Sequence, residues 1–110
     1  MDNEKKLIIL SDKEGENKYQ INSEKGEMTV LAAKKLTIKV GDDIELVMTG
    51  SNGTVELKSK DFKINLENSM EVSANKQFRA EASTVKLDGN SAVKISGGPV
   101  SIEGLPIKVG

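Results

Sequence analysis

Cysteine, histidine and tryptophan are all missing from this 110-residue chain, and its aromatic residues number three: Tyr19, Phe62 and Phe78. Without cysteine there is no disulfide, no thiol nucleophile and no clue to the redox compartment. Without histidine as well, nucleophilic triads and the usual zinc sites are excluded. Scarce aromatics exclude something else. A compact globule of this length would fill its centre with large rings and leucine, whereas hydrophobic residues here make up 36% and aromatics 3%. Val, Ile, Leu, Ala and Met dominate, a set suited to a narrow core rather than a round one. No apolar run approaches a membrane-spanning helix, and Leu7-Ile8-Ile9-Leu10 is too short for a signal-peptide core and follows acidic residues, so no Sec-type address is expected. Nor does one sign of charge prevail: 16 basic against 17 acidic residues give a net −1, with no field to draw nucleic acid or an anionic membrane.

What the chain does have is alternation. Apolar residues recur at every second position in short runs: Met28-Val30-Ala32, Leu36-Ile38-Val40, Ile44-Leu46-Met48, Val55-Leu57, Phe62-Ile64-Leu66, Met70-Val72-Ala74, Phe78-Ala80-Ala82, Val85-Leu87, Val93-Ile95, Val100-Ile102 and Ile107-Val109. A period of two is the mark of strands with one dry and one wet face. Val30, Ile38 and Leu46 are eight apart, as are Ile64, Val72 and Ala80, so the runs read as octad repeats. Turn-forming residues separate them at Gly41-Asp42-Asp43, Gly50-Ser51-Asn52-Gly53, Asn68-Ser69, Asn75-Lys76, Asp88-Gly89-Asn90, Gly97-Gly98 and Gly104. The step from Leu46 to Leu57 is eleven, which predicts a small extra loop over Ser51-Asn52-Gly53. Residues 1–27 read as a hairpin or adaptor segment, with strands at Leu7–Leu10 and Lys18–Ile21, and residues 28–110 as the repetitive region.

Eleven such strands can bury their dry faces as a sandwich or barrel, as a single-chain solenoid, or as one chain of a multichain prism. Sandwiches favour uneven strands and an aromatic cluster, and a solenoid of about three octads per coil would be too short to stand without caps. The reading preferred is all-β: an intertwined trimeric triple-stranded β-helix, with ladder hydrogen bonds running between chains and no stable lone protomer.

Chemistry finds little foothold. Asp42-Asp43 and the group Asp12, Glu14 and Glu16 are paired carboxylates, but acid–base catalysis needs two converging in a cleft, and turn or surface charge is the expected role. Asp12-Lys13-Glu14-Gly15-Glu16 lacks calcium-loop spacing. Asn52-Gly53-Thr54 matches a glycosylation acceptor, yet Asn-Gly is first a turn former. The Lys34-Lys35 and Lys58-Lys60 groups lie among acidic residues and read as a solvated face. The expectation is a protein that is not an enzyme and uses no cofactor or metal.

The octads, and above all the closing stretch Val93-Lys94-Ile95-Ser96-Gly97-Gly98-Pro99-Val100-Ser101-Ile102-Glu103-Gly104-Leu105-Pro106-Ile107-Lys108-Val109-Gly110, resemble the C-terminal β-helical needle of VgrG-type and phage tail-spike proteins of contractile injection systems. Lys6 to Gly15 also looks like the stretch that follows the oligosaccharide-binding-type domain in that family. The resemblance implies a homotrimeric, membrane-piercing spike, assembled in the bacterial cytoplasm or in an injection particle and delivered outward or into a target cell. Tube and hub components would lie on its N-terminal side, and a PAAR-type tip protein would dock at its C-terminal end. On that reading Val100, Ile102, Leu105, Pro106, Ile107 and Val109 form the docking platform. Two departures stand out: the large hub domains of full-length spikes are missing, as in a shortened form or a separate minimal spike, and the His-x-His iron site of some phage spikes cannot exist here. Two other readings are a lipopolysaccharide-transport β-jellyroll and a bactofilin-like β-solenoid.

Overall fold

A computed structural model describes residues 6–109 of the chain. It is all-β, with no helix among the described residues, and it divides into two units between Glu67 and Asn68.

The first unit holds six strands: β1 (Leu7–Ser11), β2 (Lys18–Asn22), β3 (Glu27–Leu31), β4 (Lys35–Val40), β5 (Ile44–Thr49) and β6 (Thr54–Lys58). They form two three-stranded antiparallel meanders, β1-β2-β3 and β4-β5-β6. Each of the four hairpin connections carries one glycine at positive φ: Gly15 at 72°, Gly26 at 69°, Gly41 at 60° and Gly53 at 66°. Left-handed backbone is what a tight reversal between twisted antiparallel strands requires, and a side chain resists it. Side chains reinforce two of these turns. Asn17 Nδ2 donates to Asp12 Oδ2 at 2.7 Å in the first, and the Lys25 amide donates to Asn22 Oδ1 at 3.2 Å in the second.

Register explains the spacings seen in the sequence. Ile38 faces Leu46 and Leu46 faces Leu57; Leu36 faces Met48 and Met48 faces Val55. The eight-residue step from Ile38 to Leu46 and the eleven-residue step to Leu57 are therefore both cross-strand neighbours, the second across the longer turn over Gly50–Gly53. This corrects one expectation. For residues 28–58 the ladder hydrogen bonds run within one chain, because the glycine reversals inside each meander send a strand back along its predecessor. β3 likewise pairs with β2, so the first meander spans the boundary expected at residue 27.

From Ser59 onward, at the end of the first unit and through the second, the chain differs in kind. No described residue from Ser59 to Val109 belongs to a strand or makes a backbone–backbone hydrogen bond within the chain. The chain bends at Glu67-Asn68, Asn75-Lys76, Ser83, Asn90-Ser91, Gly98-Pro99 and Leu105-Pro106. Counted from Asn68 through Lys76, Ser83, Ser91 and Pro99 to Pro106, the steps are eight, seven, eight, eight and seven residues. Bending thus recurs with the octads, at or beside the corners expected from the sequence except at Ser83, where none was expected. The glycines of this stretch, Gly89, Gly97, Gly98 and Gly104, all lack the positive φ found in the hairpins.

Neither unit has a core of its own: no described residue is buried, polar or apolar. The chain exposes 11287 Å², whereas a compact monomer of this size exposes about 6,000 Å².

Candidate interaction surface

Alternation along paired strands sorts each meander into two faces. In the second sheet one face carries Leu36, Ile38, Val40, Ile44, Leu46, Met48, Val55 and Leu57, all apolar. The opposite face carries Lys35, Thr37, Lys39, Glu45, Thr49, Thr54, Glu56 and Lys58, with Val47 its single apolar member. In the first sheet the rows Leu10–Tyr19–Val30 and Ile8–Ile21–Met28 share one face, while Leu7, Ile9 and Leu31 lie on the other among polar neighbours.

The two apolar faces open onto common ground. A groove of about 410 Å³ is lined by Val30 and Ala32 from the first sheet's exit and by Leu36, Met48 and Val55 from the second. An adjoining groove is lined by Leu10, Tyr19, Val30 and Leu36. The row Leu10–Tyr19–Val30 and the row Leu36–Met48–Val55 therefore border two adjoining grooves inside the first unit that share Val30, Leu31, Ala32 and Leu36. Tyr19, the only tyrosine, is 37% exposed there and brings the one polar group on those two rows. Sequence reasoning missed these grooves. The signal was present, since the turns at Asp12–Gly15 and Asn22–Gly26 set the register that aligns Leu10, Tyr19 and Val30.

Charged groups stay at the surface and hold little together. Lys39 and Glu45 face each other across β4 and β5 with 3.9 Å between Nζ and Oε2, and Lys60 lies 3.4 Å from Asp43. Arg79 donates to Glu81 at 2.9 Å. Exposed pairs of this kind contribute under about 1 kcal/mol each. Among the described residues Asp12 is the one carboxyl with a resolved shift: the hydrogen bond from the Asn17 side chain, then that from the Asn17 amide, hold it below its ordinary value. Asn17 also accepts from the Ala33 amide at 3.0 Å, which ties the first turn to the connector between the sheets. Among the described residues no cluster of three or more acidic side chains could hold a metal. Thr54 Oγ1 donates to Asn52 Oδ1 at 2.8 Å beside the positive-φ Gly53, so Asn52-Gly53-Thr54 acts as a turn.

Comparison with protein-family models, with curated proteins and with solved structures returned no match. The residues themselves carry the functional reading.

The six residues expected to form a docking platform are all exposed. Val100 and Ile102 lie between the bends at Gly98-Pro99 and Leu105-Pro106, and Ile107 and Val109 follow the second bend. Leu105 at 101% and Val109 at 95% are as open as in a free peptide. The structure brings none of the six into a ladder with another. Elsewhere beyond Ser59, Phe62, Met70, Val72, Phe78, Leu87 and Ile95 also stand free of cover.

Proposed function

We propose that the chain is the needle segment of a membrane-piercing spike of the contractile-injection type, working as a homotrimer. One observation carries this reading: residues 59–109 bend every seven or eight residues, expose an apolar side chain at alternate positions, and make no backbone–backbone hydrogen bond within the chain. Backbone donors and acceptors of a folded segment need partners, and a single copy supplies no ladder for them. A strand that turns a corner each octad and pairs with other copies satisfies the backbone and the apolar face together. Three copies close a prism around one axis, the smallest closed ring that gives each octad a flat face.

Area supports the reading. The excess of 11287 Å² over a compact monomer is about 5,000 Å² per protomer, on the scale of obligate, intertwined assemblies rather than transient contacts. A single-chain jellyroll or solenoid would bury its apolar rows within one copy, and no such burial exists here.

The mechanism that follows is mechanical. A stiff trimer with a charged skin and a dry axis transmits axial thrust through a target envelope without opening to lipid. The N-terminal side would face hub and tube components. Val100, Ile102, Leu105, Pro106, Ile107 and Val109 would receive a PAAR-type tip, whose seating covers the apolar end. No enzymatic step, cofactor or nucleic acid enters this role, and the protein would be assembled in the cytoplasm or an injection particle before delivery outward.

Sedimentation equilibrium at micromolar protein tests the core of the proposal. The expected result is a trimer with slowly exchanging amides over residues 62–109. A folded monomer would overturn it. For the tip, removal of residues 105–110 should abolish binding of a PAAR-type protein, and unchanged binding would refute the platform.

A further inference from the structure

The paired and unpaired parts of the chain are unequal as starting material for assembly. Residues 7–58 already hold ladder hydrogen bonds and aligned apolar rows within one chain, while residues 59–109 form no ladder. A surface that is preformed loses little conformational freedom on association; one that must be ordered at the same moment loses far more. Short antiparallel hairpins also close in about 1–10 μs, before separate chains meet at ordinary concentrations.

Resting on the trimeric reading above, we propose that the adjoining grooves bordered by Leu10–Tyr19–Val30 and Leu36–Met48–Val55 are the contact through which copies of this chain first recognise one another. Residues 59–109 then pair in order from Ser59 toward the C-terminus. The occupant of the grooves is a second copy presenting the same rows. Their lining is apolar apart from Lys34, Thr49 and Thr54 at the main groove and Ser11, Asp12, Asn17, Lys18 and the Tyr19 hydroxyl at the adjoining one, so few like charges oppose the approach. Once three such surfaces have met, three copies of Ser59 are tethered together. The segment beyond it then pairs at the high effective concentration of a linked system rather than by a new three-body encounter. Each octad added brings the next corner into reach, which gives the process its direction.

Pulse-labelled hydrogen exchange during refolding of the full chain, at several protein concentrations, reads the order of events. Amides of residues 7–58 are expected to gain protection first, and those of 62–109 later, in sequence order. Two full-length variants separate the roles. Met48→Lys should slow trimer formation tenfold or more, whereas Val72→Lys should leave the association rate within twofold and lose protection only from about residue 70 onward. Where Met48→Lys does not fold, Val55→Ala shortens the same row without charge and should slow association several-fold. The proposal is overturned if residues 62–109 become protected together with or before 7–58, or if Val72→Lys slows association as much as the groove variants. A trimer that forms with the wrong order refutes only this inference; a protected monomer refutes the trimeric reading itself.

Discussion

The two units share one alphabet of alternating residues and use it in opposite ways. In residues 7–58 each hairpin reversal has a glycine with φ between 60° and 72°, and within each meander a strand pairs with the one before it, the break falling between β3 and β4. In residues 68–109 the glycines lack that conformation, the chain bends instead of reversing, and no partner follows within the same copy. The difference between a meander and an unpaired segment thus resides in the corners. Alternation says that a strand is wanted, and the corner decides whether the next strand is its own neighbour.

Four variants would break or sharpen this contrast. The largest effect is expected from Leu46→Asp, which puts a charge at the centre of the row Ile38–Leu46–Leu57. In the proposed trimer that charge is unpaired and dry, at a cost on the order of 3–5 kcal/mol per protomer. Denaturant unfolding and solution mass should show the assembly lost. Next comes a pair of glycine substitutions. Gly41→Val forces a β-branched side chain into φ 60° and should destabilise by about 1–3 kcal/mol. At Gly104 an added Cβ meets nothing within 4 Å and φ is not positive, so Gly104→Val should stay within about 0.5 kcal/mol. Equal losses at both sites would show that the corners are not of two kinds.

Gly89 sharpens the point differently, because a Cβ there would run into the Ala92 carbonyl oxygen. Gly89→Ala is expected to shift the bend at Asn90-Ser91 and speed amide exchange from there to the C-terminus, with exchange over residues 7–58 unchanged. The smallest effect concerns acid. Hydrogen bonds from Asn17 lower the Asp12 pKa in the folded chain, so their contribution is complete above its ordinary value of 3.8 and disappears as the pH falls through the lowered one. Amide exchange at Gly15, Asn17 and Ala33 should rise selectively below that range, and Asp12→Asn should remove the pH dependence.

Much of the fold was legible before any coordinates. Period-two runs marked β4 and β5 and the core of β6, and Leu7–Leu10 and Lys18–Ile21 marked β1 and β2 to within a residue. What was misread was connectivity in residues 28–58. An eight-residue interval between Ile38 and Leu46 fits both a repeat advancing along an axis and a hairpin folding back. Only the sign of φ at Gly41 separates the two, and sequence does not print it. The same ambiguity hid the groove. Tyr19 looked like part of a separate lead-in until register set it between Leu10 and Val30. The six C-terminal residues are exposed apolar positions, as their alternation suggested, and the proposed tip platform would need other chains to bring them together.

The placement of hydrogen-bonded hairpins ahead of the unpaired segment has a bearing on synthesis. A ribosome extends a chain by about 5–20 residues each second, so residues 59–109 follow residue 58 over roughly 3–10 s. Both meanders are complete long before the last octad leaves the exit tunnel. On the proposed trimeric reading, neighbouring ribosomes on one message would display finished docking surfaces while the unpaired remainder is still being made, which would shorten the time any chain spends as a template for misplaced strands.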